Sequence, residues 1–353
     1  MATQTKQSAT DKALNTFADL MIEKIMNISE DWHKPWFSET SCVPPRNLSG
    51  RFYNGSNSFM LMLKAEKEGY ELPVWGTFDR FKAIGNVSVN KGEKSFPVFL
   101  TCFTVVNPET KEKIKYDVYK EMTNEQKSKY NVFPSLHVYN VFNIAQTNLK
   151  DASPDLYDKL KAECGVKPDS IDENRDTSSH PAIDAMIDNN LFLCPIKPTR
   201  GDDAYYSISN DEIVIPLREQ FKDGESFASN TLHECSHALG AEGRLNRLQP
   251  ATFGSAEYAR EELIAEMTAA VVASHFGLCK HIKEDSAAYL KSWLSSIKKS
   301  PTFIKTVLAD VKRASAMLEA RIIEIDAALK ADNMLEYMKQ GFDAYHESKV
   351  HKA

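Results

Sequence analysis

The pattern of apolar and polar positions changes character about halfway along the chain. The first 150 residues combine amphipathic helices, predicted over about 11–28 and 56–68, with short segments typical of β-strands. These predicted strands lie at 87–106, 111–119 and 139–144. The first half is therefore expected to be an α+β domain.

Helical periodicity dominates the second half. A charged, turn-rich stretch at 151–180 is interpreted as a linker, and a strand region at 205–216 ends at Pro216. Helices are then predicted over 227–239, 256–276, 285–298 and 301–330. The whole chain is thus predicted to be α+β, with one domain at 1–150 and a second, mainly helical domain with a small sheet at 181–345.

Composition and charge restrict the class of protein. The 353 residues are 42% hydrophobic and 26% charged, which is typical of a globular domain, and the net charge of -6 gives no whole-chain signal for nucleic acid or membrane binding. The chain starts without a secretory signal and contains no apolar run of about 20 residues, so we expect a cytoplasmic protein without a membrane partner. Six scattered cysteines without a CxxC pair are interpreted as free thiols.

The sequence HECSH at 233–237 is a candidate metal motif. Residues four apart share one face of a helix, so His233 and His237 can present two imidazoles to one ion. A third ligand is needed, and the helix predicted around 258–266 offers it. Glu262 is favoured over Glu261 and Glu266, because Glu266 then lies one turn on and can accept the outer N–H of a histidine, whereas Glu261 is expected to point elsewhere.

Such a site predicts metal-assisted hydrolysis. The ion would acidify a water, and Glu234 would act as general base. The oxyanion needs a further donor, and four residues nearby in sequence are candidates among which the pattern does not choose: Tyr205, Tyr206, Tyr258 and Arg260. The predicted cofactor is Zn²⁺, although His/His/Glu ligation also suits Mn²⁺ and other divalent ions. A strand at 205–215 is also interpreted as an edge to which a peptide substrate could add.

Two sets of segments resemble the ArdC-type antirestriction family. In the second half they are DEIVIP at 211–216, HECSH at 233–237, GRLNR at 243–247 and YAREELIAE at 258–266. In the first half they are KPW at 34–36, PRN at 45–47, YNGSN at 53–57, WGTF at 75–78, KGEK at 91–94 and VFN at 141–143. The resemblance implies a single-stranded-DNA-binding domain, a zincin-like (gluzincin) metallopeptidase domain, and an origin on a mobile element.

The charge distribution is compatible with DNA binding by the first domain. Residues 1–150 hold 19 Lys+Arg against 16 Asp+Glu, a net charge of +3, and the remainder carries −9. Single-stranded DNA binds basic grooves lined with aromatic rings. The candidate contacts are Trp36, Arg46, Tyr53, Arg80, Lys82, Lys91 and Lys94.

The functional prediction is an antirestriction-type, single-stranded-DNA-binding zinc metallopeptidase-like protein that hydrolyses peptide bonds near DNA. Its partners would be single-stranded DNA and a protein or peptide substrate. Two alternatives stay open. One is a non-catalytic protein that shields DNA and carries a structural zinc. The other is a metallopeptidase whose N-terminal domain binds protein instead of DNA.

Overall fold

A computed structural model describes residues 8–30, 37, 43–165, 179–249, 251–252, 255–278, 290–299 and 301–331. Helices and two separate sheets make up these residues, which confirms the predicted α+β class. No helix within these ranges combines the length and apolarity that crossing a bilayer requires.

A long antiparallel ribbon forms the centre of the first sheet. The strands are β1 (Arg46–Asn47), β2 (Val74–Thr77), β3 (Phe96–Val106), β4 (Lys113–Ile114) and β5 (Asn131–Asn143), in the order β1-β2-β5-β3-β4. β3 and β5 pair from Phe96↔Val141 to Val106↔Asn131, and β1 pairs with β2 in parallel. The ribbon therefore extends well beyond the end of β5, residues 141–143, that pairs with β2.

Seven helices accompany this sheet within the described residues. They are α1 (Ala9–Glu30), α2 (Gly55–Glu68), α3 (Phe78–Lys82), α4 (Tyr116–Lys120), α5 (Asn124–Lys127), α6 (Leu149–Ala152) and α7 (Pro154–Gly165). α2 ends where Gly69 adopts a φ of 68°, as a left-handed glycine cap does. The strand predicted at 111–119 is wrong beyond β4. Its apolar residues there form α4, in which Tyr116 and Tyr119, three positions apart, stack on one face.

The second half surrounds a three-stranded sheet with longer helices. The strands are β6 (Ile196–Thr199), β7 (Tyr205–Ser207) and β8 (Glu212–Pro216), in the order β6-β8-β7. The helices are α8 (Pro181–Asp188), α9 (Gly224–Leu239), α10 (Ala256–His275), α11 (Leu290–Lys299) and α12 (Pro301–Lys330). β7 lies at one edge of this sheet, antiparallel to the central β8.

The largest hydrophobic core is shared between the two halves of the chain. Phe17, Phe59 and Trp75 from the first half pack in the same cluster as Leu263 of α10 and Val307 of α12. A second cluster joins the small sheet to α9, α10 and α12. α10 therefore borders both cores, with Leu263 in one and Ala269 in the other.

The described cysteines are free thiols. Cys164, Cys194 and Cys235 are buried, and Cys102 is half-buried. This confirms the expectation for these four residues. Cys42 and Cys279 lie outside the described residues.

Candidate metal centre

Helix α9 brings the two histidines of the motif together. The Asp223 side chain caps the helix by accepting a hydrogen bond of 2.7 Å from the Ser226 N–H. Ten residues after Asp223, His233 is 1% exposed, and the Nε2 atoms of His233 and His237 lie 3.1 Å apart. Two nitrogens this close can share a single proton or face a common cation.

Helix α10 adds a carboxylate to this pair. Glu262 Oε2 lies 3.4 Å from His233 Nε2, and Glu262 Oε1 lies 3.5 Å from His237 Nε2. One ligand atom from each of the three residues falls within 4.8 Å of the others. His233, His237 and Glu262 are thus the candidate metal cluster of the described residues.

The spacing of these donors fits a small divalent cation. Ligand bonds of about 2.0–2.1 Å in a tetrahedral site place neighbouring donor atoms about 3.3 Å apart. The two Nε2 atoms are 3.1 Å apart, and the Glu262 oxygens Oε2 and Oε1 lie 3.4 Å from His233 Nε2 and 3.5 Å from His237 Nε2, respectively. Two imidazoles and one carboxylate also form the donor set that zinc and manganese accept.

Each histidine also has a carboxylate at its other ring nitrogen. Glu266 Oε1 lies 3.2 Å from His233 Nδ1, in the position predicted for it. Glu261 Oε1 lies 3.2 Å from His237 Nδ1. The expectation that Glu261 points elsewhere is therefore wrong: one residue before Glu262, its side chain still reaches the second histidine.

Arg247 holds Glu261 in this position. Its guanidinium donates to Glu261 Oε2 from Nε at 2.8 Å and to Glu261 Oε1 from Nη2 at 2.7 Å. The same Nη2 donates to the carbonyl of Ser236 at 2.8 Å, next to His237 in α9. Sequence reasoning did not assign Arg247 to the site, because the loop that carries it has no periodicity to follow.

Gly240 permits this approach of the loop to α9. A Cβ atom at Gly240 would lie 2.9 Å from Leu248 Cγ and 3.2 Å from Arg247 Cζ. Its φ is −75°, a conformation that any residue adopts. The close approach of the loop, and not the backbone angle, explains a glycine here.

The charges around the cluster shift two pKa values. Burial lowers the pKa of His233, but hydrogen bonds to Glu262 and Glu266 outweigh burial and raise it to about 9. Burial raises the pKa of Glu261, but Arg247 and His237 outweigh burial and hold it below its ordinary value. In the absence of a metal, the site therefore holds a proton on His233 and an ionised Glu261.

The proposed general base lies beside the cluster. Glu234 follows His233 in α9 and is 2% exposed. Its burial separates its carboxylate from bulk water.

Two of the oxyanion candidates have other partners. The Tyr206 hydroxyl donates to Asp211 at 2.8 Å, and burial followed by this bond raises the pKa of Tyr206 to about 12. Arg260 pairs with Asp310 of α12. Tyr205 is 48% exposed on β7, and Tyr258 is half-buried against the larger core. Tyr206 and Arg260 are thus occupied by a hydrogen bond and an ion pair, whereas the Tyr205 side chain is accessible to solvent.

The predicted DNA contacts divide into packed and exposed residues. Tyr53 packs against the larger core, and burial raises its pKa to about 12. The Arg46 guanidinium lies 4.9 Å from the centre of the Phe52 ring. Four basic residues are exposed, two on or beside α3 and two in the turn before β3: Arg80, Lys82, Lys91 and Lys94. Trp36 lies outside the described residues.

The β3–β5 ribbon exposes aromatic rings that sequence reasoning missed. Phe133 and Tyr139 of β5 are 55% and 44% exposed. Phe103 of β3 stacks on Tyr116 with ring centres 4.2 Å apart, and Tyr116 stacks on Tyr119. The signal was the even spacing of Phe133, His137 and Tyr139, which are four and two residues apart and therefore lie on one face of a strand.

Comparison with known proteins gives matches in both halves. A family model described as the N-terminal domain of anti-restriction factor ArdC matches residues 11–142, and one described as a zincin-like metallopeptidase matches residues 183–310. An uncharacterized protein of Sinorhizobium fredii, y4eC, is 27% identical over 295 residues, 83% of this chain and 87% of that protein. The DNA primase TraC of Escherichia coli is 28% identical over 299 residues, which are 84% of this chain but 26% of the primase.

Two crystal structures of the antirestriction protein ArdC from plasmid R388 share the fold. The metal-free structure has a TM-score of 0.60 at 25% identity and covers 87% of this chain and 98% of its own. The Mn(II)-bound structure has a TM-score of 0.61 at 25% identity, with coverages of 88% and 97%. With an ArdC-type N-terminal domain followed by a zincin-like metallopeptidase domain, the chain belongs to the ArdC-type antirestriction family.

Proposed function

We propose that this protein is a metal-dependent peptidase of the antirestriction type, with His233, His237 and Glu262 as the metal ligands. The observation that carries the proposal is the convergence of the two Nε2 atoms, 3.1 Å apart, with the Glu262 carboxylate, one oxygen of which lies 3.4 Å from His233 and the other 3.5 Å from His237. Zn²⁺ is the proposed ion. Mn²⁺ is an alternative that the same donors accept.

The proposed chemistry assigns a distinct task to each residue. A divalent ion in this site supplies Lewis acidity and lowers the pKa of a water. Glu234 accepts the proton of the attacking water and passes it to the leaving amine. Glu266 and Glu261 hold the outer nitrogens of the two histidines, so that each ring keeps its Nε2 lone pair turned toward the cluster.

The edge strand β7 is the proposed docking site for the substrate backbone. β7 pairs with β8 on one side and lies at the edge of the described sheet. α9, which carries the motif, packs against both strands. An extended peptide that adds to β7 would run close to this helix, with the exposed Tyr205 along its path.

Glu234→Gln tests the hydrolytic step. We expect the variant to keep its metal, because Glu234 is not a proposed ligand, and to lose about 10²- to 10⁴-fold in peptide hydrolysis. The readouts are metal content and cleavage of a peptide library. Glu257→Gln, at an exposed position in the first turn of α10, is the matched control.

The same variant separates hydrolysis from shielding. If Glu234→Gln keeps its metal and protects DNA from a restriction endonuclease as well as the wild type does, hydrolysis is not the basis of protection. The alternative of a DNA-shielding protein with a structural metal would then hold.

We further propose that the N-terminal part binds single-stranded DNA. The match to the ArdC N-terminal domain supports this, as do two groups of exposed residues. Phe78, 51% exposed, lies on α3 with Arg80 and Lys82. On the ribbon, Phe133 and Tyr139 offer rings to solvent, and such rings are the platforms on which bases stack.

Binding of a fluorescent oligothymidylate tests this second proposal. The double variant Phe133→Ala/Tyr139→Ala removes two stacking rings, each worth about 1–3 kcal/mol, so we expect at least a tenfold weaker affinity. Arg80→Ala/Lys82→Ala should flatten the dependence of affinity on salt. Ile208→Ala, at a residue 63% exposed beyond β7, is the control. Wild-type affinity and salt dependence in both double variants would favour the alternative in which this part binds protein.

The division into functional parts is likewise a proposal. We assign DNA binding to residues 1–150 and hydrolysis to 181–345, with 151–180 as the connection, of which α7 packs Leu160 against Val74 and Phe81 of the N-terminal part. The family matches at 11–142 and 183–310 support this assignment. Because the larger core contains residues of both parts, the two are expected to unfold together.

A further inference from the structure

The loop after α9 places a nearly inaccessible arginine behind the metal cluster. The Arg247 side chain is 2% exposed, although the loop itself reaches the surface. Its Nε and Nη2 atoms donate hydrogen bonds to the Glu261 carboxylate. Nη2 also donates to the carbonyl of Ser236. A buried guanidinium in a two-point grip leaves its carboxylate little freedom to rotate.

The carboxylate that Arg247 holds is the one that contacts His237. Glu261 Oε1, which accepts from Arg247 Nη2 at 2.7 Å, lies 3.2 Å from His237 Nδ1. The opposite nitrogen of that ring, Nε2, faces His233 and Glu262. When Nδ1 donates its hydrogen to Glu261, Nε2 carries the lone pair that a metal needs.

We propose that Arg247 is a positioning residue for the metal site, acting through Glu261 to fix the orientation and tautomer of His237. The inference rests on the proposed metal site. Arg247 and Glu261 thus support His237, separately from the support that Glu266 gives to His233.

The positive charge of Arg247 has a second effect. Glu261 and Glu262 are adjacent in α10, and an unrestrained Glu261 would place another anion close to the cluster. Arg247 occupies both Glu261 oxygens. It thereby keeps Glu261 as a hydrogen-bond acceptor for His237 and prevents it from competing with Glu262 as a ligand.

The same loop contains a matched comparison residue. Arg244 is also largely buried, and its Nη2 donates to both oxygens of Asp211, at 2.7 and 2.9 Å. Its Nη1 donates to the carbonyl of Ala238 in α9 at 2.7 Å. Its carboxylate, however, accepts from the Tyr206 hydroxyl and not from a histidine. Arg244 therefore shares the structural role of Arg247 without the connection to the metal cluster.

The test compares metal affinity in Arg247→Lys, Glu261→Gln, their double variant and Arg244→Lys. Zn²⁺ dissociation constants are measured by chelator competition, Co²⁺ absorption reports ligand geometry, and melting of the metal-free proteins reports folding. We expect about 10- to 100-fold weaker zinc binding and an altered Co²⁺ spectrum in Arg247→Lys and Glu261→Gln. The double variant should be no weaker than the worse single one, because the two residues act as a unit. Arg244→Lys should lower the melting temperature alone.

The outcomes separate this inference from the metal site itself. Zinc affinity and a Co²⁺ spectrum like those of the wild type in both Arg247→Lys and Glu261→Gln would overturn the positioning role while leaving the metal site intact. An equal loss of affinity in Arg244→Lys would overturn it too, because loop stability would then explain the effect. If the folded wild type binds no zinc, the metal site fails and the inference fails with it. Glu261→Gln preserves side-chain volume and keeps the test decisive if Arg247→Lys does not fold.

Discussion

At the scale of single residues, His233 and His237 each lie between two carboxylates. Glu262 lies near the Nε2 atoms of both rings, while Glu266 and Glu261 lie at the Nδ1 atoms of His233 and His237. This concentration of negative charge favours the binding of a cation or a proton. The same groups therefore bind metal and make the metal-free protein sensitive to pH.

The stability of the metal-free protein should fall as the pH rises from about 6.5 to 9. The pKa of His233 is raised from 6.5 to about 9 in the folded state, so its protonated form stabilises the fold fully below 6.5, and this contribution is lost as the pH passes 9. A shift of this size corresponds to about 3 kcal/mol. Urea unfolding of the metal-free wild type and of His233→Gln checks it, since the variant should lack this component.

Zinc should reverse the trend over the same range. Zinc binds the neutral imidazole and displaces the proton, so its apparent affinity should rise with pH up to about 9. Equal pH dependence of unfolding in the metal-free wild type and His233→Gln would contradict the assignment of the proton to His233.

Helical spacing predicted the residues that lie on a regular face and missed those that depend on a loop. The four-residue intervals from His233 to His237 and from Glu262 to Glu266 placed these side chains in the arrangement the structure has. Glu261 was assigned to a different face, because spacing alone does not reveal that Arg247 holds it against His237. The partners that a flexible carboxylate contacts depend on the tertiary structure, which helical spacing does not describe.

At the scale of elements, α10 supplies the carboxylates of the site and packs against both cores. Its predicted range of 256–276 agrees with the observed Ala256–His275. The strand region at 205–216 instead forms β7 and β8, separated by a turn in which Asp211 has a φ of 50°. Periodicity identified α10 because it is long, whereas it does not reveal this turn, in which Asp211 pairs with Arg244 from a loop 33 residues on.

Asn57 of α2 should contribute measurably to the attachment of the helix to the sheet. Its side-chain amide donates to the Phe99 carbonyl at 2.7 Å, and its side-chain oxygen accepts from the Phe99 N–H at 2.9 Å. Asn57→Ala leaves both backbone groups of β3 without this partner and should cost about 1–3 kcal/mol in urea unfolding. Asn54→Ala is the control, because Asn54 makes no side-chain cap bond and should change stability by less than about 0.5 kcal/mol. Equal effects of the two substitutions would contradict this account of α2.

At the scale of the whole molecule, the two halves share one core. The sequence predicted which faces are apolar but not which faces meet, because periodicity carries no information on partners. The larger core includes Trp75 of β2 and Trp293 of α11, and the Trp293 indole donates to the Ala259 carbonyl of α10 at 2.5 Å. α10, which carries Glu262, is thereby packed against elements from both halves.

Gly55→Ala should destabilise the whole protein through this shared packing. Gly55 has a φ of 54°, and a Cβ atom there would lie 2.7 Å from the Lys312 Cα atom of α12. Gly69→Ala is the control, because Gly69 has a φ of 68° but no atom within 4 Å of its added Cβ. Both should pay about 1–2 kcal/mol for the left-handed backbone, and Gly55→Ala about 1–3 kcal/mol more for the clash. Tryptophan fluorescence during unfolding checks this, and equal losses in the two variants would contradict the contact between the halves.

Metal content measured side by side in the wild type, Glu262→Ala and Glu266→Ala tests the central claim most directly. The account predicts close to one zinc per folded wild-type chain, loss of the metal in Glu262→Ala, and retention with about 10- to 100-fold weaker affinity in Glu266→Ala, which removes a support and not a ligand. A correctly folded wild type without stoichiometric metal, or full zinc retention in Glu262→Ala, would contradict the assignment of His233, His237 and Glu262 as the metal site.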